Sequence, residues 1–498
     1  MTRPIITFGV ADYLAVGLFV CALLFLGFSA KLRSNTVLQF LAAGRQLSLP
    51  LFVASLVSMW YGEILGSSES ASAYGIGAWI LFGVPYYIFA ILYAVFFVGK
   101  VRSASQISIP ERLHMRFGKG PALAGAVLLF LLAVPAAHLL CLGVLIKSFT
   151  GWDPVVCVLI GAVVGTCFVY RGGLLADARA SLVAFAMMYI GFFVMLIWCL
   201  VHHPLVATVS SIGNKDLLKW DGGTGWVYVL SLFVVGAWTF VDPGFHQRVT
   251  SGASAAISKK GVLISVGFWI LFDVLSLTTA LYAIALYPKL SGLEVYPAFA
   301  QQVLPPGLKA LFFCGMLGAV MSATVSYGLA SGATLGREIL GRLRPGASDE
   351  TVNKWSRWGI AVGCLVAAAL AIEIHSVIDL WTAWAGAVVG ALLIPVGVAY
   401  LTKDRRMHGA VVSLSILCGF AVAVVWMVYG RMHGNEYLEV VFARTSHGLQ
   451  IVMANSDPGA NVPEGVKMSI GTLIPGLLVS AIVIALGAAL TIRRRNHA

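Results

Sequence analysis

The chain has 498 residues, of which 59% are hydrophobic and only 11% carry a formal charge. Soluble domains carry about 25% charged residues, so this composition excludes an ordinary soluble protein and indicates one that spans a membrane. The net charge of +12 does not indicate nucleic-acid binding, because the basic residues are spread over many short gaps between apolar stretches.

Thirteen apolar stretches follow one another along the chain, each about as long as the ~20 residues that a helix needs to cross ~30 Å of hydrocarbon. A β-barrel would show alternating segments of ~10 residues, so we expect an all-α polytopic membrane protein with about 13 transmembrane helices. The stretches are 10–30, 48–66, 74–99, 121–147, 154–171, 180–202, 226–244, 262–287, 308–335, 356–377, 379–401, 408–430 and 468–492.

The basic residues fall mainly in every second gap between these stretches. With the N-terminus placed outside, 24 of the 33 Lys and Arg residues lie on the inner side and nine lie on the outer side. This bias predicts a protein of the inner or plasma membrane, with its N-terminus outside and its C-terminus in the cytoplasm. The positive charge also predicts contact with anionic membrane lipid rather than with nucleic acid.

The second and seventh stretches are interrupted by residues that a simple membrane anchor would not contain. Gly62, Glu63 and Gly66 interrupt the second stretch, and Gly236 precedes the sequence DPG at 242–244 in the seventh. A carboxylate at the centre of a span costs about 2.5–3.5 kcal/mol on insertion scales. Interrupted helices at matching positions are typical of transporters built from inverted repeats.

This spacing predicts two five-helix inverted repeats with one leading and two trailing helices. Residues 1–47 would then hold the leading helix and an inner loop, 48–202 the first repeat, 203–225 an external loop, 226–401 the second repeat, and 402–498 the trailing helices with an external loop at 431–467.

Six segments resemble, in order and in spacing, the motifs of the sodium:solute symporter family, whose members carry sugars, proline, choline and iodide. They are FLAAGRQLSLP (Phe40–Pro50), SLVSMWYGEILGSSESASAYGIG (Ser55–Gly77), ISIPERLHMRFG (Ile107–Gly118), YRGGLLADARA (Tyr170–Ala180), DPGFHQRVTSGASAAISKKG (Asp242–Gly261) and GAVMSATVSYGLASGATLGREI (Gly318–Ile339). The resemblance implies the LeuT-type fold and cation-coupled uptake of a solute by alternating access.

In this family a sodium ion lies between the first and eighth core helices, bound by three backbone carbonyls and two neighbouring hydroxyls. Carried over by the resemblance, the carbonyls belong to Ser58, Tyr61 and Ala319, and the first hydroxyl belongs to Ser322. The second hydroxyl falls on Ala323, which has none. A Na+ site here would therefore lack one of its five ligands.

Water, the Ser58 hydroxyl or Glu63 could supply the missing ligand. Thr324 is a poor substitute, because it is rotated by about 100° on the helix. The Thr-Asp pair that the family carries in the sixth stretch is replaced by Ala180 and Ser181, so we expect no further ion site there.

Glu63 is the main candidate for substrate binding or coupling, since it follows Gly62 in the expected helix break. It would carry a proton or cation or pair with a cationic substrate; alternatively, it caps free backbone N–H groups.

Asp273 is either a coupling residue or a buried hydrogen-bonded carboxylate. Leu65 replaces a polar residue of sugar-carrying relatives, which argues against a sugar. The aromatic residues expected near the cavity are Trp60, Tyr86, Tyr87, Trp238, Trp381 and Trp384.

The remaining polar residues show no catalytic pattern. Asp242 and Arg248 flank an inner helix end and are interpreted as an inner gate or a structural pair. The chain has no Walker loop, no CxxC pair and no clustered Ser, His and Asp, so we expect neither an enzyme nor a bound cofactor.

These observations predict a secondary active transporter that imports a small organic solute together with Na+. A proton-coupled or sodium-independent transporter that uses Glu63 is the alternative. A solute sensor without transport is a more distant one, because no signalling domain is present in the sequence. The substrate itself cannot be read from the sequence, because its contacts come from several helices whose rotations the sequence does not define.

Overall fold

A computed structural model describes residues 5–103, 106–167, 169–402, 407–434, 439–445, 448–453 and 465–496 of the chain. Ten helices in this part of the chain are long and apolar enough to cross a membrane. They are Val10–Ser29, Trp79–Phe96, Lys119–Thr150, Val169–His202, Ala255–Leu286, Leu308–Leu343, Asp349–Glu373, Val377–Leu401, Gly409–Met432 and Leu473–Leu490. Shorter helices include Val37–Ala42, Val98–Ser103, Ile109–Phe117, Leu205–Ser210 and Val295–Val303.

Two bent helix pairs bring the number of candidate spans to twelve within the described residues. The expected stretch at 154–171 contains the helix Pro154–Thr166, which has 13 residues. At ~1.5 Å per residue this helix is about 20 Å long, which is shorter than the ~30 Å hydrocarbon layer. The expected count of thirteen is therefore not confirmed, although the polytopic all-α architecture is.

The first bent pair consists of Leu49–Trp60 and Ile64–Tyr74, which meet at an angle of 50°. The N–H of Gly62 donates to the carbonyl of Met59 at 3.4 Å instead of continuing the helical ladder. A Cβ atom on Gly62 would lie 1.9 Å from the Cβ of Ala323 and 2.4 Å from the ring of His138. Only glycine therefore allows the break to approach the helix Leu308–Ala333 so closely.

The second bent pair consists of Trp226–Phe240 and Pro243–Ser251, which meet at 44°. Its first part changes from an α-helix at Trp226–Phe233 to a 3₁₀-helix at Val234–Phe240. The second part starts at Asp242, whose carboxylate accepts a hydrogen bond from the N–H of Phe245 at 2.5 Å, with Pro243 in the first helical position. Both interruptions expected from the sequence are present.

The helix Leu308–Ala333 lies at the centre of the fold, whereas the terminal spans lie at its periphery. In the most apolar 18-residue segment of Leu308–Leu343, 89% of the residues are buried within the protein. In the corresponding segments of Val10–Ser29, Gly409–Met432 and Leu473–Leu490, only 22%, 28% and 28% of the residues are buried. This difference agrees with a core of repeats flanked by one leading and two trailing helices.

A small antiparallel sheet precedes the last span. Its strands are β1 (Glu439–Thr445), β2 (Gly448–Met453) and β3 (Gly465–Ser469), in the order β2-β1-β3. The sheet rests on the helix Trp226–Phe233, where Tyr228 donates to Glu439 at 2.8 Å. β1 and β2 lie in the segment 431–467, which is predicted only as a polar external loop, and β3 extends two residues beyond it into the predicted stretch 468–492.

Candidate functional site

A cavity of about 120 Å³ lies between the two bent helices. Half of its lining residues are aromatic, and none is Lys or Arg. The lining residues in the described part of the chain are Trp60, Tyr61, Glu63, Ser67, Ser70, Ala78, Trp79, Phe82, Gly83, Tyr86, Tyr87, His138, Trp238, Asp273, Ser276, Leu277, Tyr327 and Trp381. A concave, mostly aromatic cavity with a few polar groups is typical of a small-molecule site.

Glu63 lines this cavity from the break in the first bent pair. Its carboxylate accepts a hydrogen bond from the indole N–H of Trp381. Its other oxygen lies 3.8 Å from Nε2 of His138. The side chain is 19% exposed, so it faces the cavity rather than bulk solvent. The alternative role of Glu63 as a cap is not seen, because the Glu63 side chain makes no capping hydrogen bond at the start of Ile64–Tyr74.

Asp273 lines the same cavity from the middle of the helix Ala255–Leu286. Its carboxylate accepts hydrogen bonds from the hydroxyls of Tyr61, at 2.9 Å, and Tyr87. The indole of Trp79 in turn donates to the Tyr87 hydroxyl at 2.9 Å. Gly83 makes room for this group, since a Cβ atom there would lie 3.0 Å from the Asp273 carboxylate. Asp273 is thus hydrogen-bonded and also faces the cavity.

Asp242 holds two further cavity residues in place from the second helix break. Its Oδ2 atom accepts hydrogen bonds from the indole of Trp238 at 3.0 Å and from the hydroxyl of Tyr327 at 2.8 Å. The ring of Tyr327 stacks on His138 with the ring centres 4.7 Å apart. This network fixes the aromatic wall of the cavity that lies beside the second break.

Only some of the other residues predicted from the sequence line the main cavity. Trp60 and Trp238 line the cavity, as do Tyr86, Tyr87 and Trp381. Trp384 instead lines a smaller neighbouring cavity. Gly62 and Leu65 do not line the main cavity: Gly62 is packed against Ala323, and the side chain of Leu65 is fully buried in the hydrophobic core.

Three buried serine hydroxyls meet beside the first helix break. Oγ of Ser322 lies 2.8 Å from Oγ of Ser58 and 3.0 Å from Oγ of Ser181. The Ser58 hydroxyl also donates to the carbonyl of Ala54 at 2.7 Å. The three residues come from three different helices, and we call this group the serine cluster. The structure thus brings Ser58 and Ser322 together, as the expected cation site requires.

The other residues of the expected cation site lie close to the serine cluster. Ala319 and Ala323 are fully buried, one turn apart, on the same helix as Ser322. Tyr61 follows the last residue of Leu49–Trp60, at the end where helix carbonyls lose their regular partners. Gly62, which bonds to Met59, does not satisfy the Ser58 carbonyl as it would in an unbroken helix.

A buried ion pair lies next to the serine cluster. The guanidinium of Arg248 bonds to the carboxylate of Asp177, and Ser326 lies 2.5 Å from Arg248. Asp242, which the sequence analysis pairs with Arg248, instead caps its own helix and holds Trp238. The pairing of Asp242 with Arg248 is therefore corrected: the Arg248 guanidinium hydrogen-bonds to Asp177.

The match to known proteins covers most of the chain. The model of the sodium:solute symporter family matches residues 40–417. The chain belongs to the sodium:solute symporter family. It is therefore a multi-pass membrane protein of a transporter family rather than a member of an enzyme family.

Individual relatives of this symporter chain are distant. The high-affinity proline transporter PutP of Bacillus subtilis is 24% identical over 81% of the chain and 89% of the relative. Sodium/glucose cotransporter 4 of Danio rerio is 23% identical over 69% of the chain, which spans only 60% of that relative's length. A solved structure of a substrate-bound, outward-open Na+-coupled sialic acid symporter matches with a TM-score of 0.73 at 15% identity, covering 97% of this chain and 98% of that one. This structural match supports the fold alone.

Sequence reasoning missed three residues that the structure brings to these sites. Ser181 joins the serine cluster, and the signal for it was its position in place of the family's aspartate. His138 and Tyr327 line the cavity. A lone histidine in an apolar helix gives no sequence signal that distinguishes a cavity residue from a packed one.

Proposed function

We propose that this symporter imports a small organic solute together with Na+ by alternating access across the inner or plasma membrane. In this proposal the N-terminus lies outside and the C-terminus lies in the cytoplasm, as the distribution of basic residues predicts. The solute occupies the cavity between the two bent helices. The sodium ion binds beside it, at Ser58, Tyr61, Ala319 and Ser322.

The observation that supports the proposal best is the contact between the serine cluster and the broken helix. Ends of discontinuous helices offer carbonyl oxygens to Na+ in transporters of this kind. Here Ser58 lies in the last turn before the break, and its hydroxyl touches that of Ser322. The site is therefore formed by two helices that move relative to each other in alternating access, so that ion binding can be linked to solute binding.

The hydrogen bonds of the serine cluster leave oxygen lone pairs for a cation. Because Ser58 donates to Ala54, it must accept from Ser322, which in turn accepts from Ser181. The Ser181 hydroxyl also lies 3.5 Å from the Asp177 carboxylate, so its one proton is shared between Ser322 and Asp177. Each hydroxyl has one proton and two lone pairs, so Ser58 and Ser322 each keep one lone pair and Ser181 keeps two. We propose that Ser181, with the Ser58 hydroxyl, replaces the ligand lost at Ala323. Glu63 is directed to Trp381 and is not needed for this role.

Sodium binding can be measured before the solute is known, by the thermal unfolding of the purified protein in sodium and in potassium salts. A ligand that binds only the folded state raises its unfolding temperature. We expect Na+, but not K+, to stabilise the wild type, and we expect the Ser322→Ala substitution to remove most of this shift. The matched control is Thr324→Val, which removes a hydroxyl on the same helix that bonds only to the Val320 carbonyl among the described residues.

Equal stabilisation by both salts in the wild type would contradict sodium coupling. If uptake into proteoliposomes then depended on a proton gradient instead, and Glu63→Gln abolished that dependence, proton coupling would replace the proposal.

A further inference from the structure

We infer that the solute is a small organic cation, an amine or quaternary ammonium compound without a carboxylate. This inference rests on the proposed function, because it names the substrate class of the proposed solute cavity. Two carboxylates line the cavity and give it a negative charge. Glu63 and Asp273 approach it from different helices, and among its described lining residues no lysine or arginine compensates them.

The hydrogen-bond donors around the two carboxylates are neutral. Glu63 accepts from the indole of Trp381, and Asp273 accepts from the hydroxyls of Tyr61 and Tyr87. Neutral donors orient a carboxylate but do not cancel its charge. A carboxylate removed from water without a cationic partner is costly, so a cavity of this type favours a ligand that brings positive charge.

The rest of the cavity wall suits the same ligand. Aromatic rings surround the space, including the indoles of Trp60, Trp79, Trp238 and Trp381. The face of an aromatic ring attracts a cation, and aromatic cages bind quaternary ammonium groups in this way. A wall of rings with two carboxylates thus binds a cation by two independent interactions.

Two further observations limit the class. Glu63 occupies the N-cap position of the helix Ile64–Tyr74, so an anionic group of the substrate would meet a carboxylate where a helix N-terminus would otherwise attract it. His138 lines the cavity and is 6% exposed, and its Nδ1 atom has no hydrogen-bond partner among the described residues. This nitrogen is itself buried, so His138 offers the substrate no hydrogen bond through it.

Matched pairs of probes that differ only in charge test the inference. The full-length purified protein is titrated in sodium buffer with choline and its uncharged isostere dimethylbutanol, and with benzylamine and benzyl alcohol. Proline, glycine betaine and glucose represent zwitterions and neutral polyols. Binding is followed by the fluorescence of the cavity tryptophans and by thermal shift.

We expect at least one cation to bind about tenfold or more tightly than its uncharged partner. Asp273→Asn and Glu63→Gln, which keep the shape but remove the charge, should each weaken that cation about tenfold or more. Glu294→Gln is the control, because it removes a carboxylate that pairs with Lys147 outside the cavity and should leave binding unchanged.

Equal binding of cations and their uncharged partners would overturn the inference. Binding of proline, glycine betaine or glucose in the absence of cation binding, or no binding of any cation, would do the same. The sodium-induced thermal shift, measured on the same samples without probe, separates the two proposals. Its presence with no cation binding refutes only the substrate class, whereas cation binding without a sodium effect refutes only sodium coupling.

Discussion

Asp177 and Asp273 both lie within long helices of the core, but their surroundings differ. Asp177 is 1% exposed and forms an ion pair with the fully buried Arg248. Asp273 faces the cavity, and its hydrogen-bond donors among the described residues are the neutral hydroxyls of Tyr61 and Tyr87. Among the described residues, one buried carboxylate thus has a cationic partner within the protein and the other has none. A buried charge without an internal partner marks a functional site, whereas a paired one is equally consistent with structure.

The largest effect is expected from breaking the buried ion pair. Arg248→Met leaves the Asp177 carboxylate without its cation in a site closed to water, and it should lower the free energy of unfolding by about 3–5 kcal/mol. Chemical unfolding of the purified protein measures this loss. Asp273→Asn, by contrast, removes a charge that has no cationic partner and should not lower the stability. A similar loss for both variants would show that the two environments are equivalent.

The exposed pair of Lys219 and Asp216, 2.7 Å apart, provides a reference for this measurement. Asp216→Asn should change the stability by no more than about 1 kcal/mol, because water screens the interaction.

A methyl group at the helix break should have the next largest effect. Gly62→Ala places a Cβ atom where Ala323 and His138 already lie, and overpacking of this kind costs about 1–3 kcal/mol. The added methyl group forces the break away from the helix Leu308–Ala333, which carries Ser322. The sodium-induced thermal shift should therefore also decrease. In Gly267→Ala, the added Cβ meets no atom within 4 Å, and neither property should change. An unchanged sodium response in Gly62→Ala would argue against a cation site at this contact.

The smallest effect is expected at Ser181. Ser181→Ala removes one neutral ligand and the hydrogen bonds to Ser322 at 3.0 Å and to Asp177 at 3.5 Å. One hydrogen bond of this kind is worth about 0.5–1.5 kcal/mol. The sodium concentration that gives half of the thermal shift should rise about fivefold, with little change in the unfolding temperature without sodium. Ser265→Ala serves as the comparison, because its buried hydroxyl makes no hydrogen bond among the described residues. A normal sodium response in Ser181→Ala would show that Ser181 is not a sodium ligand. Water or the Ser58 hydroxyl would then replace the ligand lost at Ala323.

Much of the fold could be predicted because membrane insertion imposes simple rules on the sequence. Long apolar stretches locate the helices, and Gly62 and the DPG at 242–244 locate the two breaks. The family motifs added the expectation that Ser58 and Ser322 meet. The sequence does not predict the three-stranded sheet, because its strands have only 7, 6 and 5 residues and lie almost entirely in a segment interpreted as a polar loop.

Contacts between distant helices were harder to predict than the helices themselves. The sequence suggests that Arg248 pairs with Asp242, six residues away, whereas in the structure it pairs with Asp177 from another helix. Glu63 and Asp273 are both candidates from the sequence, but the sequence does not show that they face one cavity. Leu65 and Gly62, which the sequence also predicts at the site, instead pack into the core.

The sequence by itself determined the helical membrane architecture, the positions of the two breaks and the family, because apolar length, glycine and proline act locally along the chain. Only the tertiary structure decided which side chains share the cavity, which serines meet beside the break and which carboxylate has a cationic partner. These features depend on the rotation and spacing of helices far apart in the chain, and a helix that turns by 100° per residue can present a given side chain in any direction.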